Sequence, residues 1–312
     1  MNSKKKYTDL IKIKAKEIGF DDCRIAKIDK FDNTTVLNYL NWINNNFSAD
    51  MQYMKRNTEK RFDVTKLVDN AKSVIVVILN YYPQDKQNDK SYKISKYAYG
   101  SIDYHKILKD KLYLLFDYIN TEIKEISGRV FVDSAPVLEK QWAVKSGLGW
   151  QGKNSCLINK DIGSFFFIGE IILDLDLEYD KSVNEYCGTC TRCIDACPTG
   201  AIEKPYVVNA NKCISYLTIE HKDNFDKNLN FDFDGYIFGC DICQDVCPWN
   251  SKPVFSQIKE FKISDAIKNF NYNDWENLTE SNFNTIFKNS PLLRTKFDGI
   301  KRNIDYVKQQ FD

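Results

Sequence analysis

Eight of the ten cysteines of this 312-residue chain fall between positions 187 and 247. The run CGTCTRCIDACPTG (187–200) has the spacing C-x2-C-x2-C-x3-C-P, and CDICQDVCPWN (240–250) repeats its last part, C-x2-C-x3-C-P. A segment this rich in Cys, Gly and Pro and this poor in long apolar runs buries too little surface to fold alone. The spacing therefore predicts a small domain held together by metal.

The first run has the cysteine spacing of bacterial ferredoxins that carry two [4Fe–4S] clusters. In that arrangement three thiolates of a tight loop hold one cluster, and the fourth crosses to the other cluster. Cys213 is the only nearby candidate that completes the second motif. The predicted ligands are Cys187, Cys190, Cys193 and Cys247 for cluster 1 and Cys197, Cys213, Cys240 and Cys243 for cluster 2.

The alternative is structural zinc, which favours two separated C-x2-C pairs around one tetrahedral ion. The two remaining cysteines, Cys23 and Cys156, are predicted to be buried small apolar residues. A simple electron carrier would need only the cysteine region, so the long segment before it predicts a site for a substrate or a second cofactor.

The formal net charge of +1 excludes a globally basic nucleic-acid binder and leaves a local basic face open. The lysine-rich start is not followed by the apolar region of a secretory signal, and no apolar run reaches the roughly 18 residues that span a bilayer. We therefore expect a cytoplasmic protein without a membrane partner. In a reducing cytosol, clustered thiols are more often metal ligands than disulfides.

The pattern of the chain predicts three regions: an α/β domain over 1–180, the small cysteine domain over 181–255 and a polar helical extension over 256–312. Within the first region we expect a helix ending at Gly19 and a buried strand over 73–83. A helix begins near residue 103, and a strand over 164–177 carries a bulge at Gly169. Strands alternating with helices favour a layered sheet.

Several ordered motifs resemble those of the epoxyqueuosine reductases, over about residues 10–255. They are ISKYAYGSIDYHKIL (94–108), VDSAPVLEKQWAVKSGLGWQGKNSCLI (132–158), GSFFFIGEIILDL (163–175), CGTCTRCIDACPTGAI (187–202), CISYLTIE (213–220) and GCDICQDVCPWN (239–250). The resemblance implies an enzyme that reduces epoxyqueuosine to queuosine at the wobble position of tRNA, with electrons passing through two [4Fe–4S] clusters to cobalamin.

The same resemblance implies a nitroreductase-like cobalamin-binding domain, related in fold to the reductive dehalogenases, ahead of the ferredoxin-like domain. It also implies a cobalamin without a histidine ligand from the protein, in agreement with the absence of a D-x-H-x-x-G motif. The implied partners are a tRNA with epoxyqueuosine in its anticodon loop and an unidentified cytosolic electron donor. We expect the enzyme to be a monomer.

Asp133 ends an apolar strand just before SAPVLEK, and the resemblance implies that it donates the proton needed to open the epoxide. The alternative is a helix N-cap. Asp103, Tyr104 and His105 are expected in the substrate pocket, since His titrates near neutral pH and Tyr donates a hydrogen bond. Their alternative is an ordinary helix N-terminus.

Arginines 56 and 61 are suited to corrin amides or to a nucleotide phosphate, although both could belong to a solvated charge run. The predicted cobalamin contacts are Arg56, Tyr97, Asp133, Ser155, Leu157 and Ser215. Lys204, His221 and Lys222 are the predicted tRNA contacts, with ordinary surface charge as the alternative. Rival functions are a reductive dehalogenase acting on a small organohalide, an iron–sulfur electron carrier, and an RNA-binding protein with structural clusters.

Overall fold

The computed structural model describes residues 3–311. The first two residues of the first predicted region, Met1 and Asn2, and the last residue of the third, Asp312, lie outside the described residues. The strands are β1 (Asp22–Lys27), β2 (Ser73–Asn80), β3 (Lys93–Ile94), β4 (Gly128–Phe131), β5 (Trp150–Gln151), β6 (Leu157–Ile158), β7 (Phe166–Leu173), β8 (Ile202–Lys204), β9 (Val207–Val208) and β10 (Tyr236–Phe238).

Helices precede, separate and follow these strands. They are α1 (Ser3–Ile18), α2 (Asn33–Asn44), α3 (Gln52–Lys55), α4 (Thr58–Phe62), α5 (Tyr104–Tyr118), α6 (Glu139–Lys145), α7 (Arg192–Asp195), α8 (Ile214–Ile219), α9 (Ile242–Asp245), α10 (Asp265–Asn269), α11 (Tyr272–Glu276), α12 (Glu280–Ile286) and α13 (Lys296–Lys308). A π-helical turn, Ile119–Ile123, continues α5.

A four-stranded sheet in the order β1-β2-β7-β4 organises the first half of the chain, and every neighbouring pair in it is antiparallel. All eight residues of β2 are buried, because α1 and α5 cover one face of the sheet and α6 covers the other. The predicted layered sheet is therefore confirmed. That this region is nitroreductase-like stays a prediction.

The expected bulge at Gly169 is wrong. Gly169 pairs in regular register with Val77 of β2. A Cβ atom at this position would lie 2.8 Å from Cδ1 of Leu112 and 3.2 Å from Cγ of Leu108. The glycine thus allows α5 to pack closely on β7, which fixes the position of the residues at the start of α5.

The C-terminal helices share one apolar core with the cysteine region and with a short piece of the first region. Phe233 and Phe238 pack in this core with Trp275, Phe283 and Ile300, and strand β3 pairs in parallel with β10. The division of the chain into three regions stays a prediction. The common core contains residues from all three of them.

A buried ion pair adds a second link between the sheet region and the cysteine region. The ammonium of Lys96 lies 3.2 Å from Asp241 Oδ2 and 2.7 Å from Asp245 Oδ1. Burial alone would lower the pKa of Lys96, but the two carboxylates raise it above its ordinary value, so it stays charged. Within residues 3–311, no helix is long and apolar enough to cross a membrane.

Candidate active site

A cavity of about 2310 Å³ opens between the sheet region, the cysteine region and the C-terminal helices. Ordinary ligand pockets reach about 1,000 Å³. The volume therefore has room for a large cofactor together with part of a substrate. Its walls carry residues from α2, from the start of α5, from the loop after β4 and from the segment 288–296.

One part of the lining, called the carboxyl wall below, consists of Asp103, Tyr104, His105, Asp133 and Glu139. The Tyr104 hydroxyl donates a hydrogen bond to Asp133 Oδ2, and His105 Nε2 lies 3.8 Å from the same oxygen. Burial, followed by the charge of Asp133, raises the pKa of Tyr104, so the phenol keeps its proton and donates it in this bond. The predicted proton donor and the predicted pocket residues are thus neighbours.

Stacking holds Tyr104 in place. Its ring lies parallel to that of Phe167 from β7, with ring centroids 3.9 Å apart and an interplanar angle of 1°. The His105 ring also stacks on the Tyr104 ring, with the two ring centroids 4.2 Å apart. The sheet therefore supports the hydroxyl that contacts Asp133.

Asp133 has a left-handed backbone, with φ of +52°. Asp tolerates this conformation better than most residues, but it still costs about 1 kcal/mol. The Asp133 N–H donates to Glu139 Oε1 at 2.7 Å, which holds the turn in place. The N-cap of α6 is Leu138, so the interpretation of Asp133 as a helix cap is wrong.

Asp103 is both a helix cap and part of the carboxyl wall. Its Oδ1 accepts from the His105 backbone N–H at 2.9 Å and lies 2.7 Å from His105 Nδ1. Burial alone would raise the pKa of Asp103, but these bonds from His105 outweigh it and lower that pKa. The Asp103 N–H donates to the Asn289 carbonyl at 2.6 Å, which joins the C-terminal segment to this wall.

A second part of the lining, called the thiol wall below, consists of Cys197, Cys213, Cys240 and Cys243. These are the four ligands proposed for cluster 2. Among the described residues that line the cavity, none of the four proposed for cluster 1 occurs. Cluster 2 would therefore face the cavity, with cluster 1 behind it.

Electrostatic contacts group the thiols in the same two sets. The thiol of Cys193 interacts with those of Cys187, Cys190 and Cys247. That of Cys240 interacts with Cys213 and Cys197, and that of Cys243 interacts first with Cys156 and then with Cys240 and Cys213. The short helices α7 and α9 pack against each other and bring the two cysteine runs together. This grouping supports the proposed ligand sets.

No three His, Cys, Asp or Glu side chains of residues 3–311 converge as the ligands of a single ion would. A [4Fe–4S] cluster is wider than one ion, so its four thiolates stand further apart than the ligands of a zinc ion, whose Zn–S bonds are about 2.3 Å.

The two remaining cysteines differ from each other. Cys23 is buried in the core, as predicted, with 7% of its surface exposed. The prediction for Cys156 is wrong, because this residue is half-buried, lines the cavity and lies 3.4 Å from Gln244 Oε1. It stands next to the thiol wall without a place in either proposed ligand set.

Four predicted cobalamin contacts besides Asp133 line the cavity: Arg56, Tyr97, Ser155 and Ser215. Leu157 is not among the described lining residues, because it is buried in the core under α6 with 3% of its surface exposed. The Ser155 hydroxyl already donates to the Tyr206 carbonyl at 2.9 Å. A cofactor contact by Leu157 through its side chain is therefore not supported.

Arg61 gives a test of whether the cavity fits a large polar cofactor. Its side chain lines the cavity, only 6% of the residue is exposed, and Nη2 donates to the Tyr53 carbonyl at 2.8 Å. Its Nε atom is buried without a hydrogen-bond partner among the described residues. A buried donor of this kind fits a ligand with amide or phosphate oxygens, as cobalamin has.

The predicted tRNA contacts separate in the structure. Lys204 is exposed and lines the cavity, whereas His221 and Lys222 are not among the described lining residues. The Lys222 ammonium donates to the carbonyls of Ile219 and Arg294, both at 2.7 Å, and burial lowers its pKa. The structure brings other cations to the lining that the sequence analysis missed: Lys288, Arg294 and Lys296.

The sequence analysis also missed Glu139 and Glu170, although one signal was available. Glu170 is a single charged residue inside the apolar run FFIGEIIL of β7, and it is completely buried. A carboxyl group in a strand of this kind indicates a function or a partner. Glu139 looked like an ordinary acidic residue in the first turn of a helix.

Two family models match this chain. The model described as "Epoxyqueuosine reductase QueG, DUF1730" matches residues 61–134, and the model described as "4Fe-4S double cluster binding domain" matches residues 186–250. The second match covers all the proposed cluster ligands.

Curated proteins and a solved structure are similar over almost the whole chain. Epoxyqueuosine reductase of Cellulophaga algicola is 51% identical, covering 99% of this chain and 100% of the relative. That of Leadbetterella byssophila is 52% identical, covering 97% and 99%. A crystal structure of epoxyqueuosine reductase with an epoxyqueuosine-modified tRNA-Tyr stem loop has a TM-score of 0.87 at 25% identity, covering 98% of this chain and 82% of that one.

Proposed function

The chain belongs to the epoxyqueuosine reductase family, and we propose that it reduces the epoxide of epoxyqueuosine in a tRNA anticodon loop to the alkene of queuosine. The reaction breaks both C–O bonds of the epoxide and forms a C=C bond. It consumes two electrons and two protons, and the oxygen leaves as water. The enzyme must therefore supply electrons and protons to the same place.

The observation that carries this proposal is the composition of the cavity. The carboxyl wall with Asp133 and the thiol wall with Cys197, Cys213, Cys240 and Cys243 line the same space of about 2310 Å³. An electron carrier would need the thiols but no proton donor beside them. The common cavity supports a reduction that is coupled to protonation.

Two [4Fe–4S] clusters supply electrons one at a time, and the ligands are the two cysteine sets given above. Cobalamin, when bound, supplies a metal centre that is reactive toward a strained carbon–oxygen bond. We propose that Arg56, Arg61, Tyr97 and Ser215 hold this cofactor in the cavity. The unpartnered Nε of Arg61 supports its place in the set.

Asp133 donates a proton to the epoxide oxygen in this proposal. Its carboxyl group lines the cavity, and the bond from Tyr104 together with the bond between Glu139 and the Asp133 N–H fixes its direction. A positioned general acid of this kind accelerates a reaction by about 10² to 10⁴. His105, which is held by Asp103 and lines the same cavity, binds the ribose or base of the target nucleotide in this proposal.

The substrate enters as a nucleotide splayed out of its loop, because a paired and stacked base cannot reach a site inside a cavity. Lys204, Lys288, Arg294 and Lys296 supply positive charge for the phosphates around that nucleotide. We further propose that the enzyme works in the cytoplasm as a monomer and receives its electrons from a cytosolic donor.

The test is anaerobic reconstitution with iron, sulfide and cobalamin, followed by metal counts, EPR and turnover of an epoxyqueuosine-containing tRNA stem loop. We expect about eight irons and one cobalt per chain and conversion to the queuosine-containing product. Unmodified stem loop is the control substrate.

Eight irons without cobalt under any loading condition would contradict the proposed function and favour an electron carrier. Cobalt binding with turnover of an aryl halide, but not of the stem loop, would favour a dehalogenase.

A further inference from the structure

The proposed reaction needs two protons on the departing oxygen, whereas Asp133 can give only one before it must be reprotonated. The inference below rests on the proposed function and concerns the source of the second proton. It starts from a pair of carboxyl groups behind Asp133, which the role of Asp133 alone does not explain.

Glu170 has the least accessible carboxyl group in this part of the protein. It is 0% exposed, and neither carboxyl oxygen has a hydrogen-bond donor among the described residues. Its cross-strand neighbours are Val76 of β2 and Phe131 of β4, both apolar. A carboxylate in such surroundings would lose its hydration without compensation, so Glu170 carries a proton.

Glu139 connects this buried group to Asp133. Its Oε1 accepts from the Asp133 N–H at 2.7 Å, and its carboxyl group interacts electrostatically with those of Glu170 and Asp133. Carboxylates held this close repel each other, and a shared proton removes the repulsion. Three carboxyl groups therefore lead from the interior of the sheet to the cavity.

Among the described residues, no cation neutralises the two inner carboxyl groups, those of Glu139 and Glu170. Within residues 3–311, neither Glu139 nor Glu170 has an ion pair. On the neighbouring elements, Lys140 of α6 donates to the Ser155 carbonyl, and Arg129 of β4 donates to the Leu67 carbonyl and lies over the Phe131 ring. Tyr104 and His105 face Asp133 at the outer end.

Burial, followed by the charges of Glu170 and Asp133, raises the pKa of Glu139 well above its ordinary value. Burial and then the charge of Asp133 do the same for the pKa of Glu170. Like charges this close cannot all be ionised near neutral pH, so the pair titrates as a unit and keeps at least one proton.

We propose that Glu139 and Glu170 store a proton behind Asp133 and return it to Asp133 once Asp133 has protonated the substrate oxygen. Asp133 gives the first proton to the epoxide oxygen as the first C–O bond breaks. Glu139 then passes the stored proton to Asp133, which delivers it as the second C–O bond breaks and water leaves. The two electrons come from the reductant of the proposed reaction through the clusters, so atoms and charges balance.

Glu139 and Glu170 are positioning residues in this proposal, because they act through Asp133. The variants Glu139→Gln and Glu170→Gln remove the proton-holding group and change the shape little. Glu139→Gln keeps an oxygen that accepts from the Asp133 N–H, so the Asp133 turn stays in place. The control is Glu276→Gln, since Glu276 lies far along the chain and is paired with Lys308 at 2.5 Å.

The first readout is the infrared band of protonated carboxyl groups, recorded at pH 7 on the protein reconstituted with both clusters. We expect the wild type to show this band, Glu170→Gln to show a weaker band because one protonated carboxyl group is removed, and Glu276→Gln to keep the intensity of the wild type. A wild type without the band, or a Glu170→Gln variant with an unchanged band, would overturn the proposal.

The second readout is the single-turnover rate of stem-loop reduction against pH and buffer concentration. Without the stored proton, Asp133 must be reprotonated from solvent. We expect Glu139→Gln and Glu170→Gln to react about tenfold slower at pH 7, and to fall further as pH rises. Small carboxylic acids in the buffer should restore their rate and leave that of the wild type unchanged, which a merely structural role would not produce.

Wild-type rates and buffer independence in both variants would contradict the stored proton even if the infrared band is present. The two readouts also separate this inference from the proposed function. A band that weakens in Glu170→Gln, together with a wild type that never reduces the stem loop, would contradict the proposed function and retain the stored proton. An active wild type without the band would contradict this inference alone.

Discussion

The thiol wall and the carboxyl wall line the same cavity, but the chain builds them in different ways. Three of the four thiols of the thiol wall lie in the two compact cysteine runs. Each run contains one short helix, α7 in the first and α9 in the second. The carboxyl wall takes Tyr104 from α5, Asp133 from the loop after β4 and Glu139 from α6, with Glu170 of β7 behind them. Local spacing determines the first wall, and the sheet determines the second.

This difference predicts how each wall fails. A change in the thiol wall removes a cofactor and leaves the sheet intact. A change in the carboxyl wall leaves the metals in place and slows proton delivery. The three predictions below test this separation, and the largest effect comes first.

Cys213→Ala should abolish turnover and remove about half of the iron, because Cys213 completes the proposed ligand set of one of two clusters. Cys156→Ala is the matched control, since both residues line the cavity and only Cys213 is a proposed ligand. Iron and sulfide analysis of anaerobically reconstituted protein measures the effect. Full iron content in Cys213→Ala with loss of iron in Cys156→Ala would assign the ligand to Cys156 instead.

Asp133→Asn should slow single turnover by about 10² to 10⁴ at neutral pH, with iron and cobalt contents unchanged, because the amide cannot donate the acidic proton. Tyr104→Phe removes one hydrogen bond to Asp133 and should slow the reaction by only about tenfold. The measurement is the rate of product formation from the stem loop with pre-reduced enzyme. Equal rates for Asp133→Asn and the wild type would show that the carboxyl wall is not the source of the proton.

Glu170→Gln should stabilise the folded protein increasingly as pH rises. Burial raises the pKa of Glu170 above its ordinary value of 4.5, so its contribution to stability is complete below that value and is lost as pH rises through the folded pKa. The difference in free energy of unfolding between variant and wild type should therefore grow with pH, by up to about 1.4 kcal/mol per pH unit.

Anaerobic urea denaturation at several pH values measures this difference. The control variant, Glu276→Gln, should show the opposite dependence of stability on pH. Burial alone would raise the pKa of Glu276, but the bonds from Lys308 and Tyr92 lower it, so Glu276→Gln should lose stability at neutral pH and recover it as pH falls. A Glu170→Gln variant whose stability follows that of the wild type at every pH would contradict a protonated Glu170.

The cysteine sets could be proposed from the sequence, because a ferredoxin-type motif relates its ligands by distance along the chain. The sequence was sufficient for α1 and α5, whose apolar periodicity is strong and whose ends carry Gly19 and Asp103, and for β2, which is a continuous apolar run. The bulge at Gly169 was wrong, because a glycine in a strand can serve either a bulge or a close contact, and only packing against Leu112 decides between them.

The meeting of Glu139 and Glu170 behind Asp133 could not be predicted, because the two residues come together only after folding. Glu139 and Glu170 are 31 positions apart in the sequence, and their contact depends on how α6 lies across β7. The same is true of Arg294, which reaches the cavity because the C-terminal helices join the core around Phe233. Pairings between distant elements leave no periodic pattern in the sequence.

The shared C-terminal core also sets a time order for synthesis. Tyr92 and Glu276, whose side chains are hydrogen-bonded, are 184 positions apart. A ribosome adding about 5 to 20 residues per second needs roughly 10 to 40 s to make that interval. The eight clustered cysteines are made within this interval, and the last of them, Cys247, precedes the end of α13 at Lys308 by 61 residues. Metal insertion on a nascent chain that holds the complete ligand set therefore has a window of roughly 3 to 12 s before α13 is made.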